Sequence, residues 1–183
     1  MELHLDLRES ATRASILNQV RARLDDAVSV AVHAAVASAG LPVRHQRDID
    51  EVNESIDELA VSGRVKADMR AIYGILARAE AEVHGCPFER THFHEVGRPE
   101  GLRNVALICL ALEALDPSRI TATAVQVGSG TVVCDHGMLD VPAPATAAIL
   151  AQGIPVCEER LEGELCTPTS AAVLKHFVQE FVV

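Results

Sequence analysis

The chain has 183 residues, enough for one domain with a sizeable core, and 49% hydrophobic against 23% charged residues is the balance of a globular protein. A formal net charge of −10 repels a phosphate backbone, which argues against nucleic acid as the main partner. With 3% aromatic residues, no Trp and one Tyr, the core must be assembled from Ala, Val, Leu and Ile.

The opening Leu3-His-Leu-Asp-Leu7 alternates apolar and polar positions and reads as a short strand. Ile16, Leu17, Val20 and Leu24 then recur at helical spacing over 10–24, with Ser10 as the expected N-cap. The Ala/Val-rich run 27–39 fits either a buried helix or a strand, and it stops at Gly40-Leu-Pro42. Ile49, Val52, Ile56 and Leu59 predict a one-faced helix over 48–59, broken at Ser62-Gly63. A longer helix over 65–83 carries Met69, Ile72, Ile75, Leu76, Ala79 and Val83 on one stripe, and His84-Gly85 supplies its glycine stop.

Residues 101–115 predict a nearly all-apolar helix, closed by Asp116-Pro117. Residues 120–127 and 131–134 read as a hairpin-like pair of strands around Gly128-Ser-Gly130. Val141-Pro-Ala-Pro-Ala-Thr146 leads into a short Ala-rich helix ending at Gly153, and 154–157 reads as a strand. A loop over 162–169 delivers Thr169 as the expected N-cap of a last helix over 170–181. The alternation predicts a single compact α/β or α+β domain, with several amphipathic helices packed on a small sheet.

The charged start lacks an apolar signal region, and the longest apolar run, 105–112, falls short of the ~20 residues a membrane span needs. Cys86, Cys109, Cys134, Cys157 and Cys166 are odd in number and irregular in spacing, so they read as free thiols in a reducing cytoplasm. Whether the Ala/Val face of 27–39 serves the core or a homo-oligomer stays open.

Three constellations could carry chemistry. In Thr91-His-Phe-His-Glu-Val-Gly97 an extended backbone would put His92 and His94 on one face and Phe93 on the other, with Glu95 adjacent. Imidazoles with one carboxylate suit nickel, zinc, cobalt or iron better than calcium or magnesium; an exposed or capped loop pair is the alternative. Cys134-Asp-His136 offers a thiol and an imidazole of the same character, or a strand cysteine followed by a turn histidine. Gly128-Ser-Gly130 and Thr167-Pro-Thr169 could present backbone amides to a phosphate or carboxylate, or supply turn and capping chemistry alone. No nucleophile elbow or HExxH pattern supports a hydrolase.

Taken in order, His-Phe-His-Glu-Val-Gly, Gly-Ser-Gly-Thr-Val-x-Cys-x-His-Gly, Val-Pro-Ala-Pro-Ala-Thr and Glu-Gly-Glu-Leu-x-Thr-Pro-Thr resemble one family. It is the LarC-type nickel insertion protein of nickel-pincer nucleotide biosynthesis, which serves lactate racemase. Arg47-Asp-Ile and Ala79-Glu-Ala-Glu-Val-His-Gly85 are similar to its N-terminal region, so that the likeness covers about residues 45–177. The resemblance implies a cytoplasmic chelatase-type lyase that inserts nickel into pyridinium-3,5-bisthiocarboxylic acid mononucleotide, using CTP and a divalent ion such as manganese.

Carried over by motif, His92, His94, Glu95, Cys134 and His136 are the candidates for metal handling. Gly128, Ser129, Gly130, Thr167 and Thr169 are candidates for the nucleotide's phosphate or for shaping the pocket. The expectation is a single domain over 1–183 without the family's C-terminal CTP-binding domain, so CTP would require a separate module. Two departures stand out. Arg8-Glu-Ser-Ala-Thr-Arg-Ala-Ser15 replaces a Gly-x-x-Gly-Asp-Met signature, and Glu100 and Asn104 stand where the family carries Asp. An amide oxygen is a far poorer cation partner than a carboxylate, which motivates the alternative of a catalytically degenerate paralogue acting as a binding or assembly subunit.

Overall fold

The computed structural model describes residues 1–134 and 137–182. Strand β1 (Glu2–Leu5) buries Leu3 and Leu5 and exposes the residues between them, as period-2 geometry requires. It pairs in parallel with β2 (Arg119–Ala122), Leu3 facing Ile120 and Leu5 facing Ala122. β2 in turn pairs in parallel with the short β7 (Glu180–Phe181), giving the order β1-β2-β7. Parallel neighbours need long crossovers, and here the helices supply them.

Helix α1 (Arg13–Arg21) is capped by Thr12, whose Oγ1 accepts from the Ser15 amide at 3.2 Å. The Ala/Val run resolves as a helix, α2 (Asp26–Ser38), with Val32 and Val36 inward and Val30 outward at 70% exposure. α3 (Ile49–Glu58) buries Ile49, Val52 and Ile56, the stripe expected from its spacing, behind an Asp48 cap. α4 (Gly63–His84) is capped by Ser62 and ends at Gly85, whose φ of 61° is the left-handed stop that glycine adopts most easily. At 22 residues it is about 33 Å long, and α3, α5, α6 and α7 all pack against it. Its Met69, Ile72, Tyr73 and Leu76 are fully buried at the centre of the core. α5 (Pro99–Leu115) buries Leu102, Val105, Ile108, Cys109 and Leu112. No helix among the described residues is long and apolar enough to cross a membrane. The architecture is α/β: helices packed around a small parallel sheet.

The second half departs from the expected hairpin. β2 leaves for the parallel sheet, because Ile120 and Ala122 are buried between β1 and β7. Gly128-Ser129 forms β3, which pairs antiparallel with β6 (Gly163–Glu164). A Cβ on Gly128 would stand 1.8 Å from the Gly163 carbonyl oxygen, so only glycine permits this approach. The hairpin forms one element later, between β4 (Thr131–Cys134) and β5 (Gly137–Asp140), in register Val132 to Leu139. The expected strand over 154–157 reduces to a single parallel bridge from Val125 to Val156.

After α6 (Pro144–Leu150), the last helix α7 (Pro168–Phe177) also differs from expectation at both ends. Thr167, not Thr169, is the N-cap: its Oγ1 accepts from the Ser170 amide at 3.3 Å, and Pro168 takes the first helical position, where no N–H is needed. At the other end sheet bonds displace helical ones, since the Gln179 amide donates to the Ile120 carbonyl at 3.0 Å and Val182 to Ala122 at 2.8 Å. At the N-terminus likewise, Thr12 caps α1 while Ser10 only supports it through a 3.0 Å hydroxyl contact.

Candidate functional site

The segment over 92–97 is held from three sides. Phe93 is buried and meets Tyr73 edge to face at a centroid separation of 5.9 Å. The Tyr73 hydroxyl donates to the Val96 carbonyl at 3.0 Å, and burial pushes that phenol far above its usual range. From the loop before α3, Gln46 donates its amide to the Gly97 carbonyl at 2.8 Å, and the Phe93 amide donates to the Arg47 carbonyl at 2.6 Å. Gln46 is itself fully buried and accepts from the Ser55 hydroxyl at 2.8 Å. Two glycines allow this closeness: a Cβ on Gly97 would lie 1.9 Å from the Gln46 oxygen, and one on Gly101 would lie 2.7 Å from the Val96 oxygen. The clamp fixes where His94 and Glu95 point.

They face a cavity of about 510 Å³, a volume in the range of small-molecule sites. One wall is the last turn of α4, with Glu80, Val83 and His84. His94, Glu95 and Arg98 form the second, and the start of α5 adds Glu100 and Gly101. Val132, Cys134 and Leu139 of the β4–β5 hairpin form the third, with Glu164 of β6 beside them. The N-terminal ends of α1, α6 and α7 complete the lining with Arg13, Pro144, and Thr167 to Thr169. Helix N-termini carry partial positive charge, and α5 and α7 add it to the guanidinium groups of Arg13 and Arg98. Opposite charge is present too. Burial first, and the charge of Glu95 second, raise the Glu164 carboxyl above its ordinary range, with Arg13 opposing them.

The cavity thus gathers His94, Glu95, Cys134, Thr167 and Thr169 from motifs far apart in sequence. His92 is exposed and outside the lining, on the opposite side of the backbone from buried Phe93. His136 lies outside the described residues. Gly128, Ser129 and Gly130 are also outside the lining; Ser129 donates to the Leu161 carbonyl at 2.9 Å and the pair β3–β6 holds Glu164 in place. The Thr167 hydroxyl is spent on capping α7, so it sets the helix start that faces the cavity. Among the described residues no three His, Cys, Asp or Glu side chains form a preformed metal set.

Sequence reasoning missed Arg13, Glu80, His84, Arg98 and Glu164 as lining residues. One signal was available: Glu80 and His84 are four apart on a helix and therefore share a face. His84 Nε2 stands 3.5 Å from Glu80 Oε2, and the His84 and His94 ring centroids are 6.0 Å apart.

The model of the nickel insertion protein family matches residues 3–182. The chain is 34% identical over 174 residues to the pyridinium-3,5-bisthiocarboxylic acid mononucleotide nickel insertion protein of Staphylococcus epidermidis, covering 94% of this chain and 44% of that one. A putative nickel insertion protein of Rhodopirellula baltica is 37% identical over 141 residues, 76% of this chain and 35% of its own length. The Thermotoga petrophila protein with the same name as the staphylococcal one is 45% identical over 111 residues, 60% of this chain and 28% of its own. The chain therefore spans less than half the length of these curated relatives. No solved structure matches it. The match over nearly every residue, from β1 to the last strand, places this chain in the nickel insertion protein family.

Proposed function

We propose that this chain is the nickel-handling part of a chelatase, and that its cavity receives the pyridinium-3,5-bisthiocarboxylic acid mononucleotide precursor together with nickel. The observation that carries the reading is the meeting of His94, Glu95 and Cys134 with two arginines and the α5 and α7 N-termini around one space. Imidazole and thiolate suit a borderline ion such as nickel. Guanidinium groups and helix N-termini suit the phosphate and carboxyl groups of a mononucleotide. His92 and His136 belong to the same motifs and stay in the proposed metal-handling set. Gly128, Ser129 and Gly130 shape the pocket through β6, and Thr167 and Thr169 present the α7 N-terminus.

Making a carbon–nickel bond at a ring C–H releases one proton. Glu164 lines the cavity, and its raised carboxyl makes it the stronger base among carboxylates of ordinary affinity. In this reading CTP and an ion such as manganese act at a CTP-binding module that works with this chain in the cytoplasm, and neither nucleic acid nor membrane is a partner. A homo-oligomer through the exposed face of α2 is compatible with it.

A second reading has its own support. The stretch Arg8-Glu-Ser-Ala-Thr-Arg-Ala-Ser15, where the family has its Gly-Asp signature, puts Arg13 into the cavity, and Asn104 stands on α5 in place of a carboxylate. Those changes favour a subunit that binds without turning over. The deciding experiment supplies the chain with precursor, nickel, CTP, manganese and a CTP-binding module, and follows the nickel-pincer product by mass spectrometry. Product dependent on this chain supports the chelatase; bound precursor without product supports the degenerate subunit. Absence of precursor binding sinks both.

A further inference from the structure

We infer that the last turn of α4 captures the nickel: His84 and Glu80, joined by His94, form an ion-receiving site that the His-x-His motif alone does not reveal. The inference rests on the nickel-handling reading and names the residues that take the ion first.

The geometry comes from two distances. His84 Nε2 and Glu80 Oε2 are 3.5 Å apart. Two donors each ~2.1 Å from a shared ion at a near-tetrahedral angle are separated by about 3.4 Å, so this pair already stands at ligand spacing. An ion ~2.1 Å from an imidazole nitrogen lies ~3.2 Å from that ring's centroid, so two rings sharing one ion at the same near-tetrahedral angle have centroids about 5.2 Å apart. The His84 and His94 centroids are 6.0 Å apart, about an ångström wider than that spacing, with an interplanar angle of 52°. All three residues line the same cavity, facing the place proposed for the precursor.

Their environments differ in a useful way. Glu80 is 9% exposed on a helix locked into the core, so its carboxylate is held in place beside His84. The His84 side chain is 36% exposed at the helix end, where an incoming aqueous ion meets it. His94 is held by the clamp on 92–97, about an ångström short of closing the set. A site with two donors in place and a third that moves in is assembled by the ion. That suits cargo, which must leave again for the precursor, better than a closed four-ligand cage would.

The test is a calorimetric titration of the full chain with nickel chloride alone, paired with nickel-edge X-ray absorption. The expected result is roughly tenfold or greater weakening for His84→Ala and for Glu80→Gln, and loss of one nitrogen neighbour at about 2.1 Å in His84→Ala. His33→Ala, on exposed α2, should match the native chain. Glu80→Gln keeps the side-chain shape, and circular dichroism verifies that each variant is folded. Native-like affinity and an unchanged nickel spectrum in His84→Ala overturn the site, as does a native chain that binds no nickel. The precursor titration is read separately, so loss of this site with retained precursor binding leaves the proposed function standing.

Discussion

Gly97→Ala tests the clamp that aims the site. A Cβ at this position would sit 1.9 Å from the Gln46 carbonyl oxygen and 3.0 Å from the Phe93 Cβ. Relief requires the loop around Gln46 and the segment over 92–97 to part by more than an ångström. That separation strains or breaks two bonds, Gln46 amide to Gly97 carbonyl at 2.8 Å and Phe93 amide to Arg47 carbonyl at 2.6 Å. Each buried group left without its partner costs about 1–3 kcal/mol, and overpacking adds about 1–3 kcal/mol. With one of the two bonds lost, the sum is a destabilisation of about 2–6 kcal/mol, read as a lower midpoint in urea unfolding at unchanged slope. Gly63→Ala is the control: its Cβ meets nothing within 4 Å at the start of α4, and it should stabilise by up to about 1 kcal/mol. A Gly97→Ala chain within about 0.5 kcal/mol of native refutes the clamp.

Further outcomes follow from the same geometry. Ile72→Ala empties a fully buried position on the central helix and should cost about 2–5 kcal/mol by urea unfolding; a cost under 1 kcal/mol would contradict the packing. Thr167→Ala removes the α7 cap and should cost about 1 kcal/mol, with Thr167→Ser restoring most of it. Stability should also fall in alkali. Burial raises the Cys109 thiol well above its ordinary value and pushes Cys166 up to about 12. The unfolded chain therefore loses these protons first, from pH ~8.5 upward, while the folded chain keeps them. Each thiol then lowers stability by about 1.4 kcal/mol per pH unit, and Cys109→Ala should remove its share of the slope between pH 9 and 11. An unchanged slope in that variant would show that Cys109 is not shielded.

The helices α3 and α4 were legible because a one-sided apolar period leaves few alternatives, and Gly85 marks a stop by its own conformation. The strands after residue 119 were not, because pairing depends on partners distant in the chain. Thr131–Cys134 found Gly137–Asp140, and the Gly-Ser pair found Gly163–Glu164, a contact that rests on the missing Cβ of Gly128. The site was legible in part. Alternation around Phe93 correctly separated the histidines from the core, yet the chain bends at His94, so His94 reaches the cavity and His92 does not. Glu80 and His84 were hidden by their role as a helix end, and Arg13 by its place in a stretch without a motif. Their convergence is a property of packing against α4 and cannot be read from spacing along one segment.

In the proposed function one cavity holds both the ion and the anionic precursor. Crystals grown with nickel and the precursor, measured at the nickel absorption edge, test it most directly. The expected anomalous peak lies between the last turn of α4 and residues 94–95, with precursor density reaching the α7 N-terminus. A peak confined to surface histidines such as His4 or His33, with the cavity empty of both, would contradict it.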